Sequence, residues 1–304
     1  MLMDKNLYER VNRKKKELDA LRPLPRGALE KLRKQFAIEL AYNSNAIEGN
    51  TLTLKETQMV IEEGMTIKGK PLREHFEAIN HQKAFELLES LVKKKAQLSE
   101  EVIRKLHGLV LAGIDDENAG IYRRTNVRIL GAVKSPPRFE KVSQLMEEFV
   151  EYVSSNPDKL NVVEMAAIIH YRLVEIHPFT DGNGRCSRLI MNLWLMRQGY
   201  PVTMVLKVDR KKYYYRLKKA DKGDLKPFMD FIASNIERSL DLYLDAFKSG
   251  EAYITLAEAA KNTPYSQEYL SLLARKGKIE AIKIGRNWHV KKKNVKEYAE
   301  EKGR

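Results

Sequence analysis

A mainly α-helical fold with a small α+β unit at its C-terminal end is predicted by three observations. Apolar residues recur at helical spacing through long segments of the chain. Strand-like alternation is sparse in the main body. After Ser249-Gly250 the pattern changes to short helix, turn, helix, two short strands and helix. The helical segments are Leu29–Ala46, Glu74–Lys93, Glu101–Gly113, Val142–Ser154, Val162–Glu175, Ser187–Arg197 and Leu225–Phe247. In the last of these, Phe228, Phe231, Ile232, Ile236 and Leu240 share one stripe, as in a helix that buries a single face. Thr125-Asn-Val-Arg-Ile-Leu-Gly-Ala-Val133, followed by Lys-Ser-Pro-Pro, combines β-branched residues with turn punctuation and predicts a short β-hairpin flap. The expected organisation is an N-terminal helical region over 1–60, a main body over 61–248 and a separate unit over 251–304, without repeats or low-complexity tracts.

Composition narrows the function classes. A chain of 304 residues can bury one sizeable core and carry a second small domain. No apolar run reaches membrane-spanning length, and 32% charged residues argue against a membrane class. The N-terminus lacks the apolar core of a signal peptide. The single cysteine, Cys186, excludes an intrachain disulfide framework and a multi-cysteine zinc site. A cytoplasmic protein is therefore expected. The net charge of +14 favours polyanions such as ATP, RNA, DNA or an acidic protein surface, and does not choose among them.

The chemistry concentrates in His177-Pro-Phe-Thr-Asp-Gly-Asn-Gly-Arg-Cys-Ser-Arg188. Pro178 disfavours helix at the residue before it, so a helix should end at His177 and leave that side chain free to act. Asp181-Gly-Asn-Gly184 is a turn that feeds a new helix opening at about Arg185 or Cys186. Such a turn aims backbone N–H groups and the positive end of a helix dipole at one spot. Arg185 and Arg188 add charge, which makes an anion cradle suited to a polyphosphate. Asp181 is a carboxylate placed to hold magnesium together with phosphates and water. Neutral His177 can accept a proton from an attacking hydroxyl, and Asn183 can donate to a phosphate oxygen. Each feature alone is ordinary: His before Pro is usually structural and Gly-Asn-Gly a common turn. Their joint occurrence in twelve residues is not, and no Gly-x-x-x-x-Gly-Lys-Ser/Thr loop competes.

The same twelve residues resemble the motif of the Fic family, His-x-Phe-x-Asp/Glu-Gly-Asn-Gly-Arg-x-x-Arg, at every specified position. The resemblance implies a helical-bundle fold and transfer of AMP from ATP to a Tyr, Thr or Ser hydroxyl of a protein, or of the chain itself. It implies His177 as general base, Phe179 as loop anchor and Asp181 as the Mg2+ ligand. Gly182, Asn183, Gly184, Arg185, Cys186, Ser187 and Arg188 are then the phosphate-binding segment. Gly184 stands where kinase-like relatives carry lysine, which favours AMP transfer. Residues 120–137 resemble the family's flap, with Leu130, Gly131, Ala132 and Val133 beside the nucleotide. Tyr213-Tyr-Tyr-Arg-Leu217 and Asp221 resemble the adenine-pocket segment, so Tyr213, Tyr214 and Asp221 are candidates for base contact. For the tyrosines, a plain aromatic core stripe is the alternative. The likeness extends over roughly Arg33 to Leu244, and homodimers occur among such relatives.

Ser44-Asn-Ala-Ile-Glu48-Gly-Asn50 offers a second motif. Gly49 is a natural helix C-cap, which puts Glu48 at the negative end of the dipole, the unfavourable end for a carboxylate. On residues alone this is an exposed acid with a small cost. The segment also resembles the Fic inhibitory motif, Ser/Thr-x-x-x-Glu-Gly/Asn, which implies that Ser44, Glu48 and Gly49 form a brake. Glu48 would pair with Arg188 and occupy the space of the γ-phosphate, or position a water that removes AMP from modified targets.

The unit 251–304 resembles a winged helix-turn-helix of the excisionase type. It holds 12 Lys and Arg against 7 Asp and Glu. Ser266, Gln267 and Tyr269 would face a DNA groove, with Arg286 in the wing. A protein-docking or dimerisation unit is the alternative. Three functions thus compete: an autoinhibited adenylyltransferase, a DNA-binding regulator that senses nucleotide, and an enzyme acting mainly to remove AMP.

Overall fold

The most apolar stretch of the chain forms a helix buried over most of its surface. The computed structural model describes all residues except 1, 25, 130–132, 249–252, 262, 277, 280, 285–286 and 302–304. Ten α-helices precede residue 249 among the described residues: α1 (Lys5–Ala20), α2 (Arg26–Glu48), α3 (Leu54–Glu63), α4 (Leu72–Lys93), α5 (Glu100–Leu111), α6 (Val142–Ser155), α7 (Val162–Ile176), α8 (Asn183–Arg197), α9 (Arg210–Asp221) and α10 (Lys226–Lys248). In α7, Met165, Ala166, Ala167, Ile169 and Leu173 are fully buried, as expected for a helix that is hydrophobic all round. Its start is set by a capping box: the Asn161 side chain accepts from the Val163 and Glu164 N–H groups, and Glu164 accepts back from the Asn161 N–H.

Helix α7 packs against α8, α10 and α6; α4 packs against α5, α8 and α2. Helices α1, α3 and α9 were not among the segments picked out by periodicity. Helix α1 is strongly polar and buries only Leu7, Val11 and Leu18. It packs along α10, its buried residues join the main apolar cluster, and Lys14 bonds Glu237 at 2.9 Å and Asp241 at 2.8 Å on α10. Residues of 1–60 and of 61–248 contribute to one continuous apolar cluster, in which Phe36 and Leu40 of α2 lie with Phe85, Leu106 and Ile190.

The described limbs of the flap are irregular. Described residues 125–129 and 133–137 carry no strand. Three proline-adjacent or bonded points replace a ladder: Phe139 N–H donates to Asn126 Oδ1 at 2.9 Å, and the Arg123 guanidinium reaches carbonyls on both limbs. Residues 130–132, where the expected turn falls, lie outside the described residues.

The expected boundary at Ser249-Gly250 also lies outside them. Beyond it follow β1 (Tyr253–Thr255), α11 (Leu256–Lys261), α12 (Gln267–Arg275), β2 (Ala281–Ile284), β3 (Asn287–Lys291) and α13 (Lys292–Glu301). The order matches the sequence reading, with β1 in addition. The strands form one antiparallel sheet in the order β1-β3-β2, with Ile254 opposite Val290 and Ile284 opposite Asn287. This unit has its own apolar cluster of Leu256, Leu270, Leu273, Val290 and Val295. No helix among the described residues is long and apolar enough to cross a membrane.

Three buried histidines link this packing to pH. Burial, with the charges of Arg188 and Arg185, pushes His81 down to about 3. Burial pushes His107 down to about 4, and burial with the Arg188 charge pushes His170 down to about 3. Unfolding frees them to take up protons near the ordinary value of 6.5. Their stabilisation is therefore complete above that value and declines as the pH falls from it, toward about 4 for His107 and about 3 for His81 and His170. Urea unfolding followed by circular dichroism should give a lower midpoint at about pH 5 than at about pH 7. Equal midpoints would contradict neutral histidines in the core.

Candidate active site

His177 closes α7 in the left-handed conformation, at φ 51° and ψ 57°, with its N–H bonded to Leu173 O at 3.0 Å. Pro178 prevents the helix from continuing, as the sequence predicts. The His177 Nδ1–H donates to Val174 O at 3.3 Å, which fixes the tautomer and leaves Nε2 as the basic nitrogen. Burial lowers the His177 pKa below the ordinary histidine value.

The loop that follows is locked from beneath. Phe179 is fully buried and stacks on His107, with centroids 3.6 Å apart. His107 Nε2–H donates to Asp181 O at 2.9 Å while its Nδ1 accepts from the Gly120 N–H at 3.0 Å. Asn183 Oδ1 accepts from the Phe179 N–H at 3.0 Å and its Nδ2 donates to Phe179 O at 2.9 Å. Gly182 precedes α8 with φ 75°, and a Cβ there would meet His107 Nε2 at 3.2 Å and Val110 Cγ1 at 3.3 Å. Helix α8 therefore opens at Asn183, two residues before the expected start, because the αL turn at Gly182 already aligns the backbone.

Several expectations for side chains change with this geometry. The Asn183 amide is consumed by Phe179, so only its backbone N–H is available to a phosphate. Cys186 is fully buried, its thiol pushed up to about 12 by burial, and faces Ile103 instead of a phosphate. Ser187 is also fully buried, with Oγ on Gly184 O at 2.8 Å and near His170 Nε2 at 3.3 Å. Both lie on the core-facing side of α8. Arg185 is 2% exposed and pairs with Glu77 at 3.3 Å and Asp181 at 3.5 Å.

A cleft of about 920 Å³ opens above the loop, lined by His177, Gly184, Glu48, Tyr214, Asp221 and the flap residues Ile129 and Pro136, among others. That volume accommodates a nucleotide. Glu48 sits on the loop itself: a Cβ added at Gly184 would collide with its carboxylate. Glu48 Oε1 accepts from Arg188 Nη2 at 2.8 Å and Oε2 from the Tyr214 hydroxyl at 3.2 Å. Arg188 also donates to Ser44 O at 2.8 Å and Ser44 Oγ at 3.0 Å. Gly49 ends α2 at φ 112°, with its N–H on Ala46 O at 3.3 Å. Helix α2 thus brings Ser44 and Glu48 to Arg188, with Gly49 at its end.

Tyr213 is 1% exposed; its hydroxyl lies 3.1 Å from His170 Nε2 and accepts from Arg188 Nη1 at 3.5 Å. Its ring packs among Phe228 and Phe231, so the aromatic-core reading fits it best. Both tyrosines line the cleft, and the Tyr214 hydroxyl donates there to Glu48 Oε2. Asp221 lines the far end, accepts from the Tyr171 hydroxyl at 3.5 Å, and is raised in pKa by burial and the neighbouring Glu175. Val133 is 47% exposed, and Leu130, Gly131 and Ala132 lie outside the described residues.

Asp181 fits a metal only as a single protein ligand. Among the described residues, no group of three or more His, Cys, Asp or Glu could hold an ion. Burial pushes the Asp181 carboxyl up, but the charges of Arg185 and Arg73 and the Gly182 N–H at 2.6 Å outweigh it and hold it below the usual Asp range. It is ionised, 47% exposed and already pairs with a cation, the Arg73 guanidinium. Such a carboxylate suits a magnesium ion completed by phosphates and water.

Residues missed in the sequence include His107, Arg73 and Arg123. Arg123 is 3% exposed; its Nε donates to His177 O at 2.8 Å, Nη1 to Thr125 O at 3.0 Å and Nη2 to Pro137 O. One guanidinium thus joins the end of α7 to both limbs of the flap. Its place in Gly120-Ile-Tyr-Arg-Arg was visible, but nothing local distinguished it from Arg124.

A model of the Fic/DOC family matches residues 97–195. Protein adenylyltransferase Fic of Drosophila melanogaster is 39% identical over 243 residues, covering 80% of this chain and 49% of that protein. The chain thus spans about half the length of the curated relatives it matches. A Fic domain containing signaling protein from Bacteroides thetaiotaomicron VPI-5482 superposes with a TM-score of 0.73 at 30% identity, over 79% of this chain and 97% of that one. A fragment of Fic-1 from C. elegans gives the same TM-score at 34% identity, over 80% and 73% of the two chains.

Replacing Arg123 by Met should cost about 2–4 kcal/mol in denaturant unfolding, because three carbonyl oxygens lose a charged donor. Faster proteolysis within 125–137 should accompany it. A change below about 0.5 kcal/mol would show that the flap does not depend on this residue.

Proposed function

Given that this chain belongs to the Fic/DOC family, we propose that it is an autoinhibited protein adenylyltransferase. The observation that carries the reading is the carboxylate of Glu48 seated on Gly184 and bonded to Arg188, an internal anion in a cradle built for phosphate. ATP is the co-substrate. The target hydroxyl oxygen attacks the α-phosphorus, the bond to the β-phosphate oxygen breaks, and pyrophosphate leaves. His177 Nε2 takes the hydroxyl proton, while Nδ1 stays on Val174 O and holds the ring in place. Backbone N–H groups at Asn183 and Gly184 face the charge that develops on the phosphates. Bound at Asp181, magnesium would neutralise phosphate charge during transfer. Arg188 becomes available to the terminal phosphate only when Glu48 releases it. In this reading Tyr214 and Asp221, which line the cleft, contact the base.

The acceptor is a protein hydroxyl, with the flap limbs 125–129 and 133–137 as the edge along which a target strand would lie. Removal of AMP is the second reading. Glu48 Oε2, on the cleft side and held by Tyr214, is where a water could be activated. For 251–304 we propose a winged helix-turn-helix that binds DNA. In support, Ser266 caps α12 by accepting from the Tyr269 N–H at 3.2 Å, and Tyr269 is 39% exposed. Arg286, the expected wing contact, lies outside the described residues.

With labelled ATP and magnesium, Glu48→Gly should raise AMP incorporation, including self-modification, by about tenfold or more. His177→Ala in that background should lower it by about 10²–10⁴. Equal incorporation in wild type and Glu48→Gly would remove the brake, and incorporation surviving His177→Ala would remove the base. Since His177 acts neutral and burial lowers its pKa, the single-turnover rate of Glu48→Gly should rise with pH on a limb centred below ~6.5 and be flat above pH ~7. A limb centred above that value would assign the base elsewhere.

A further inference from the structure

Arg73, near the start of α4, plays no part in the roles assigned above, yet it contacts the carboxylate that the proposed reaction needs most. Its Nη2 donates to Asp181 Oδ2 and its Nε to Glu77 Oε1 at 3.3 Å. Glu77 in turn pairs with Arg185 at 3.3 Å and accepts from Asn50 Nδ2 at 2.9 Å. Two carboxylates and two guanidiniums therefore form one cluster at the lip of the loop. The two arginines differ sharply in freedom: Arg185 is 2% exposed, whereas Arg73 is 55% exposed. Arg185 is fixed by packing, and Arg73 is the exchangeable cation.

We infer that Arg73 is a built-in counter-cation that competes with the divalent metal for Asp181, so that the site takes up metal with nucleotide rather than as a free ion. The inference rests on the reading of Asp181 as the metal-bearing carboxylate. Asp181 Oδ1 already accepts the Gly182 N–H at 2.6 Å, so Oδ2 is the oxygen open to a new partner, and Arg73 holds it. A cation bound there must displace the guanidinium. Glu77, one helical turn along α4, keeps the displaced group close through Nε, so its charge continues to oppose the metal. Phosphate oxygens arriving with the metal offset that charge; water does not.

Free Mn2+ measured by electron paramagnetic resonance tests this on the full chain in the Glu48→Gly background. An ATP analogue with a methylene between the α- and β-phosphates prevents turnover and is kept below the protein concentration. Arg73→Met should lower the half-saturating Mn2+ about three- to tenfold, with the larger effect when the analogue is omitted. Arg73→Lys, which keeps the charge, should stay within about twofold of its parent. An Arg73→Met midpoint equal to or above the parent's overturns the inference, provided Asp181→Ala abolishes binding. If Asp181→Ala binds Mn2+ as its parent does, the metal role of Asp181 fails and the inference fails with it.

Discussion

The guanidinium of Arg188 is a full charge inside the protein, 2% exposed, and the rest of the site is arranged around keeping it satisfied. An unpaired charge at that depth costs several kcal/mol. Burial alone would lower its pKa, but Glu48 and the Tyr213 hydroxyl hold it above the ordinary arginine value. The terminal turn of α2 contributes twice: Ser44 offers its carbonyl and hydroxyl oxygens, and Glu48 its carboxylate. The negative end of a helix and an acid that is misplaced on its own helix both serve one positive charge from another. Removing ligand from such a site requires a replacement anion, and α2 carries one.

Around this exchangeable pair, the loop itself is rigid. The side chains of His107, Asn183 and Arg123 each bond backbone groups of the loop or flap. Rigidity of this kind holds backbone donors in place before phosphate arrives, which is what electrostatic stabilisation demands. The charged side chains with solvent access are Glu48, beside Arg188, and Arg73, beside Asp181. Each mimics the charge of what it would yield to, an anion for phosphate and a cation for metal.

Much of this was legible in the chain. Helices α2, α4 to α8 and α10 announce themselves by an apolar stripe. Helices α1 and α9 do so less clearly, because their few buried residues, Leu7, Val11 and Leu18 in one and Tyr213, Leu217 and Ala220 in the other, stand among many lysines and arginines. The β-branched residues of 125–133 predict a hairpin, but the described limbs carry no strand and are bonded by Arg123, which no local signal marks. Cys186 and Ser187 fell inside a phosphate-binding motif, yet the helical turn places them on the core side of α8. Motif membership says which segment binds, and helix phase says which of its side chains can.

The chain by itself determined where the chemistry resides. His-Pro at a helix end, a Gly-Asn-Gly turn and a helix start are local features whose backbone consequences follow from sterics and dipoles alone. Only the tertiary structure decided what occupies that cradle at rest. Glu48 and Arg188 are 140 residues apart, and Arg73 and Asp181 are 108 apart. Whether such charges meet depends on how α2 and α4 pack against α8, a matter of burial shared by the whole bundle. Charge pairing acts over a few ångströms of space and carries no mark in sequence spacing.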